Sequence, residues 1–208
     1  MSQDLMIALT KGRVLVDELA ILAKAGVEPL EDPTASRRLV FDTNQDRVKI
    51  MILRGMDVAT YVDHGIADVG MSGKDVLLEY AGKGYYEPLD LGVGRCALMV
   101  AGLVEESELP SRLRIATKFT NTAKRYYAER GVQVDIIKLY GAMELAPVTG
   151  LAHRIVDIVE TGNTLEANGL RSIELITQIT TRLIVNTSSY KTKFEQVRNL
   201  IDSLEAVL

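Results

Sequence analysis

Tryptophan is absent from this chain and cysteine occurs once, as Cys96. A lone thiol cannot close an internal disulfide, so nothing argues for a fold stapled in an oxidising compartment. With one thiol and only two histidines, His64 and His153, the ligands for a zinc centre are scarce. Long apolar runs are also missing. The start, MSQDLMIALTKGR, meets acid and amide residues before a stretch too short for a signal segment or a membrane span, and the expected location is the cytoplasm. There is no excess of positive charge: the net value is −4, which argues against wholesale nucleic-acid binding. An anionic ligand therefore needs a local basic cluster.

What is present is ordinary for a globular protein. The chain has 208 residues, 47% of them hydrophobic and 25% charged, enough to bury a core in one domain or two small lobes. No Pro/Gly linker, low-complexity tract or internal repeat interrupts it, and the run Glu105-Glu106-Ser107-Glu108 reads as a solvated loop.

Strand-length apolar runs recur at DLMIALT, VKIMILR, ADVGMSG, RCALMVAG, LRIATKF, VDIIKLY, IVDIVET and TTRLIVNT, most of them followed by helix-patterned segments. That alternation predicts βαβ units. GRVLVDELAILAKAG places Val14, Leu15, Leu19, Leu22 and Ala23 on one helical face and stops at Gly26. RRLVFDTNQDRVKIMIL instead predicts a hairpin about DTNQD, so the sheet is mixed. The end of the chain predicts a helix N-capped by Ser188 or Ser189, with Phe194, Val197, Leu200, Ile201, Leu204 and Val207 as its apolar stripe.

Parallel sheets bind ligands at the carboxyl ends of their strands. Basic residues stand at such ends: Lys11-Gly12-Arg13, Arg37 and Arg38 after Ser36, Arg54-Gly55, and Lys74-Asp75. Any one alone is explained as a surface charge. Together they suggest a cationic crevice for phosphates, with arginine pairing bidentately and lysine acting as a point charge.

IVDIVETGNTLEANG, residues 155 to 169, runs a strand into a turn and a short helix. Outward N–H groups, the Thr161 and Thr164 hydroxyls, and Gly162, which admits close backbone approach, form a cradle for one phosphate. Asp157 and Glu160 beside a phosphate require hydroxyls or a bridging Mg2+. A phosphate at one end and a diol-binding acid at the other describe a 5-phosphoribosyl group. For a bare T-G-x-T the ligand-free turn is the commoner explanation.

Longer context changes that balance. GAMELAPVTGLAHRIVDIVETGNTL, with Glu144, Gly150, Ile155, Asp157, Thr161, Gly162, Thr164 and Leu165 at their spacings, resembles the signature of the ATP phosphoribosyltransferase family. LTKGR, EDPTASRRLVF, ILRGMDVATYVDHGIADVGMSGKDVL, RIATKFTNTAKRYY and VNTSSYKTK resemble it too, so the likeness covers essentially the whole chain.

The resemblance implies an α/β fold of two lobes with mixed sheets around a central crevice, like type II periplasmic binding proteins. Residues 1–100 plus 181–208 would form lobe I and 101–180 lobe II, with crossings near Ala101 and Thr180. It implies transfer of phosphoribosyl from 5-phosphoribosyl 1-pyrophosphate to N1 of ATP, the first step of histidine biosynthesis, with Mg2+ held mainly by substrate pyrophosphate and no protein metal ligands. Arg13, Arg37 and Lys11 are the expected catalytic residues. Asp157, Glu160, Thr161, Gly162, Asn163, Thr164 and Glu144 would bind the sugar donor, and Arg54, Ser72, Gly73, Lys74 and Asp75 the ATP. The chain's length is similar to the short form, which implies a regulatory subunit resembling histidyl-tRNA synthetase, a hetero-octamer with it and a homodimer alone.

Cys96 reads as a buried core thiol and Tyr126 and Tyr127 as core or interface aromatics, while His64 and His153 receive no chemical task. Two rivals remain. A small-molecule binding module would share the architecture, against which stand the missing export signal and DNA-binding segment. A salvage-type phosphoribosyltransferase ends its loop the same way but normally carries two adjacent acids, where Asp157 here precedes Ile158.

Overall fold

The computed structural model describes residues 4–106 and 108–208. Met1 to Gln3 and Ser107, which belong to the N-terminal and acidic-run readings above, lie outside the described residues. The elements run β1 (Leu5–Thr10), α1 (Leu15–Lys24), β2 (Val40–Asp42), β3 (Val48–Leu53), α2 (Gly55–Asp63), β4 (Val69–Gly73), α3 (Lys74–Glu79), β5 (Tyr85–Asp90), β6 (Cys96–Leu103), β7 (Leu113–Thr117) and α4 (Thr120–Glu129). They continue with β8 (Val134–Lys138), α5 (Leu145–Val148), β9 (Arg154–Val159), α6 (Asn163–Ala167), β10 (Leu170–Ile179), β11 (Thr181–Asn186), α7 (Ser189–Thr192) and α8 (Phe194–Glu205).

Two compact units result, Met1–Gly94 with Thr180–Leu208, and Arg95–Ile179. The first crossing precedes Ala101 because β6 already pairs from Cys96 onward with β10 and from Ala97 with β9. The return brings β11 as well as the last helices into the first unit, where β11 lies antiparallel between β4 and β5.

The first unit holds a six-stranded sheet in the order β2-β3-β1-β4-β11-β5. β1 is parallel to β3 and β4, and β2 returns antiparallel on β3 as the DTNQD hairpin requires. Strand alternation sends Leu5, Ile7 and Leu9 into a core with α1 and α8. Ala8 points the other way, into a smaller cluster with Val58, Ala59 and Val62 of α2. Gly70 permits that contact, since a Cβ there would stand 2.7 Å from Val62 and 2.9 Å from Val58.

The second unit holds a five-stranded sheet in the order β10-β6-β9-β7-β8, with β7 parallel to both β8 and β9 and β6 antiparallel to β9. Met143, Ala146, Ile155 and Leu165 share a buried cluster, which seats α5 and α6 near β9. Tyr126 and Tyr127 of α4 are buried, as expected of core aromatics.

Several local expectations are corrected. The buried face of α1 is Leu15, Glu18, Ile21 and Leu22, whereas Ala23 is exposed. β5 and β10 are additional strands at sheet edges, and their largely exposed residues hide the apolar signal. The terminal helix is broken at Lys193, whose φ is −125 and ψ 37, and Phe194 falls outside the buried stripe. Ser188 is the N-cap residue of α7, as expected, but its side chain makes no capping bond among the described residues; the Asn186 Oδ1 instead accepts the N–H groups of Ser188 and Ser189, both at 2.9 Å. Glu106 is not free in solvent, because Arg154 donates to both its oxygens at 3.0 Å. Cys96 is half-buried at a strand start rather than in the core.

Candidate active site

In the first unit the parallel strands β1, β3 and β4 end at one sheet edge. β2 begins there, because it runs the opposite way and Ile52 N–H donates to the Leu39 carbonyl at 2.8 Å. Topology therefore assembles the basic loci along that edge: Arg37 and Arg38 before β2, Arg54 after β3, Lys11 to Arg13 after β1, and Lys74 after β4. Lys11, Arg13, Arg37 and Arg54 are exposed there. Arg38 is engaged, with its guanidinium 2.7 Å from Glu31 and facing the Phe41 ring.

The loop after β1 is tied at its root. Thr10 N–H donates to Glu18 Oε2 at 2.8 Å, Thr10 Oγ1 donates to the Met71 carbonyl at 3.0 Å, and Lys11 N–H donates to the Leu53 carbonyl at 2.6 Å. Gly12 follows at φ 129, a backbone state that side-chain-bearing residues rarely adopt. The loop thus presents Lys11 and Arg13 from a fixed base.

The turn after β4 is arranged differently from a free cationic clamp. Ser72 is fully buried, and its hydroxyl has no hydrogen-bond partner among the described residues. Lys74 Nζ donates to both Glu87 oxygens, at 2.9 and 2.6 Å, and Arg182 joins the same network through Glu87 at 3.5 Å and Asp90 at 3.0 Å. The sequence spacing cannot show this, since Glu87 lies on the unrecognised strand β5.

In the second unit β7, β8 and β9 also end at a common edge. β9 leads through Glu160 and Thr161 to Gly162, which caps α6 at φ 85 and ψ −9. Among the described residues no side chain caps that helix by hydrogen bond, and a Cβ built on Gly162 would meet nothing within 4 Å. Thr161, Asn163 and Thr164 are exposed around this open space. Asn163 N–H reaches Thr161 Oγ1 at 3.4 Å, and Asn168 Nδ2 holds the Thr164 carbonyl at 2.8 Å. Asp157 is half-buried, with Oδ1 accepting Ile158 N–H at 2.9 Å. Glu144 opens α5, beyond the end of β8, and is held there by the burial of its neighbour Met143.

Lys118 is the residue that strand-end reasoning passed over. It follows β7 as Lys11 follows β1, and its Nζ lies 3.9 Å from Asp157 Oδ1. The run LRIATKF carried the same signal as the other basic loci. His153 is structural: its Nδ1 accepts Arg114 N–H at 2.8 Å, and burial, with Arg114 adding to it, lowers its pKa.

Two α/β units, each built on a mixed sheet with polar residues at its strand ends, define a fold like that of periplasmic binding proteins. A probable amino-acid ABC transporter extracellular-binding protein from Bacillus subtilis is similar in fold alone, with TM-score 0.55 at 9% identity over 100% of this chain and 92% of that one. The ATP phosphoribosyltransferase family model matches residues 54–206. An ATP phosphoribosyltransferase from Alcanivorax borkumensis is 59% identical, covering 100% of this chain and 97% of its own. One from Pseudomonas putida is 57% identical, covering 98% and 97%. A solved ATP phosphoribosyl transferase (HisG:HisZ) complex from Thermotoga maritima matches at 36% identity and TM-score 0.85, covering 98% of both chains. The chain belongs to the ATP phosphoribosyltransferase family, pentosyltransferases that catalyse the first step of histidine biosynthesis.

Proposed function

We propose that this chain joins N1 of ATP to C1 of 5-phosphoribosyl 1-pyrophosphate with the strand-end residues described above. The observation that carries the donor site is the Gly162 turn, held in a left-handed conformation beneath open space and ringed by Thr161, Asn163 and Thr164. Hydroxyls and main-chain amides there take the 5-phosphate, while Asp157 and Glu160, with Glu144, take the ribose hydroxyls. Adenine N1 carries no proton, so attack needs no general base. The barrier lies in the C1–O bond breaking, and Arg13, Arg37 and Lys11 offset the negative charge that develops on the departing pyrophosphate. Arg54 and the main chain of Gly73 to Asp75 hold ATP, with Lys74 fixing that turn through Glu87.

Among the described residues no three carboxylate, imidazole or thiol side chains gather as a metal cage. Mg2+ is commonly bound by substrate phosphates plus one or two carboxylates, a demand that Asp157 and Glu160 fit. When bound it would neutralise pyrophosphate oxygens. A regulatory subunit resembling histidyl-tRNA synthetase is the proposed partner, supported by the solved HisG:HisZ complex of the Thermotoga maritima relative. A cytoplasmic location suits a biosynthetic subunit, and among the described residues no helix is long and apolar enough to cross a membrane.

The direct test mixes the chain, with and without such a subunit, with ATP, 5-phosphoribosyl 1-pyrophosphate and Mg2+ and follows the ultraviolet change of an N1-substituted adenine. Absorbance should rise with pyrophosphate release. A flat trace in both cases would leave a binding module as the better reading.

A further inference from the structure

The acids that flank the Gly162 turn pose an electrostatic difficulty, because carboxylates stand where an anionic donor must arrive. The strand order supplies the answer. The chain leaves β7 toward β8 on one side and then passes back to β9 on the other, so the direction of winding reverses between β7 and β9. Outside the carboxyl ends of two such strands lies the usual ligand crevice of an open α/β sheet.

Lys118 stands at this reversal. The register pairs Thr117 with Val156, which sets Lys118 beside Asp157. Its backbone is pinned on both sides: Thr117 Oγ1 donates to the Val156 carbonyl at 2.6 Å and accepts Phe119 N–H at 2.9 Å, and Phe119 is fully buried. Its Nζ lies 4.7 Å from the Phe119 ring centroid and 3.9 Å from Asp157 Oδ1. The second distance is an ion pair without a hydrogen bond, so Asp157 does not consume the ammonium donors. Four arginines of this unit are committed elsewhere: Arg112 to Asp135, Arg114 to the Leu151 and Gly150 carbonyls, Arg130 to Glu174 and Arg154 to Glu106.

We infer that Lys118 is a donor-binding residue, whose ammonium contacts a phosphate oxygen of 5-phosphoribosyl 1-pyrophosphate while it stands beside Asp157 at the strand end. This rests on the Gly162 turn as the donor site. It gives Asp157 a cationic partner from the protein itself, and it explains how a carboxylate and an anionic ligand share one strand end.

The test compares donor affinity and the two Michaelis constants in Lys118→Met, Lys118→Gln and Lys118→Arg, beside Thr164→Val and with melting temperature as the fold check. Loss of one charge-assisted contact should weaken donor binding by about 10-fold or more in Met and Gln, with arginine recovering most of it. KM for ATP and the melting temperature should stay put. Unchanged donor affinity in Lys118→Met and Lys118→Gln, with Thr164→Val impaired, would overturn the role of Lys118 and leave the Gly162 site standing. Donor affinity unchanged in Thr164→Val would instead remove the site on which the inference rests.

Discussion

The fully buried Glu18 carboxyl accepts the N–H of Thr10 at 2.8 Å, at the point where β1 gives way to the loop carrying Lys11 and Arg13. Its other oxygen, Oε1, is buried without a hydrogen-bond partner among the described residues. An acidic side chain on the core face of α1 therefore sets the root of a basic loop. Burial pushes its pKa well above the ordinary 4.5, with Asp17 adding a smaller rise and the bonds from Thr10 opposing.

That shift has a sign. The folded chain keeps the Glu18 proton at a pH where the unfolded chain has lost it, so this residue's stabilising contribution is full below about pH 4.5 and is lost as pH rises toward the folded value. Glu18→Gln keeps an acceptor for Thr10 N–H but cannot ionise. Its melting temperature should fall less than that of the parent chain between about pH 5 and about pH 8. Parallel profiles in a thermal scan would contradict the burial argument.

Arg37 and Arg38 are adjacent, yet only Arg38 is tied to Glu31. Arg37→Ala should lower turnover by ~10² or more, the scale of losing one donor aimed at developing charge. Lysine at this position should restore only part, since a point charge cannot pair bidentately with pyrophosphate. Arg38→Ala should change stability by no more than ~1 kcal/mol, because its ion pair is exposed. Steady-state rates from adenine absorbance decide between the two neighbours, and normal turnover in Arg37→Ala would remove it from catalysis.

Thr164 is exposed in the first turn of α6, with its carbonyl held by Asn168. Thr164→Val keeps the shape and deletes one hydroxyl. Donor binding should weaken by roughly 1–3 kcal/mol, measured by calorimetry with 5-phosphoribosyl 1-pyrophosphate. Binding that does not change would reject the cradle.

The parallel strands were legible because β1, β3, β4, β7, β8 and β9 are apolar runs bounded by polar turns. β5 and β10 were not, since edge strands such as YYEPLD and LRSIELITQI expose half or more of their side chains and lose the apolar alternation. The basic loci were legible one by one, but what each does depends on pairing across the sheet. Lys74 meets Glu87 only because β11 and β5 extend the sheet beyond β4, and Lys118 meets Asp157 only through the register of β7 with β9. Glu18 was hidden for a simpler reason: a helical pattern that counts apolar residues assigns a glutamate to solvent.

The break in the terminal helix makes the same point about stability. Lys193 leaves helical geometry between α7 and α8, and its Nζ reaches the Asp4 carbonyl at 2.6 Å and Asp68 Oδ2 at 2.7 Å. Asp68 is buried and also accepts Met6 N–H at 2.8 Å and the Ser189 hydroxyl at 2.6 Å, so one carboxylate ties β1, α7 and the start of α8 together. Removing only the cation leaves a buried charge with neutral donors, and Lys193→Met should cost about 2–4 kcal/mol in denaturant unfolding. Adding Asp68→Asn removes the stranded charge, so the double variant should lose less than the sum of the two single losses. Simple additivity would mean that Lys193 and Asp68 act independently, and that the helix break owes nothing to their pairing.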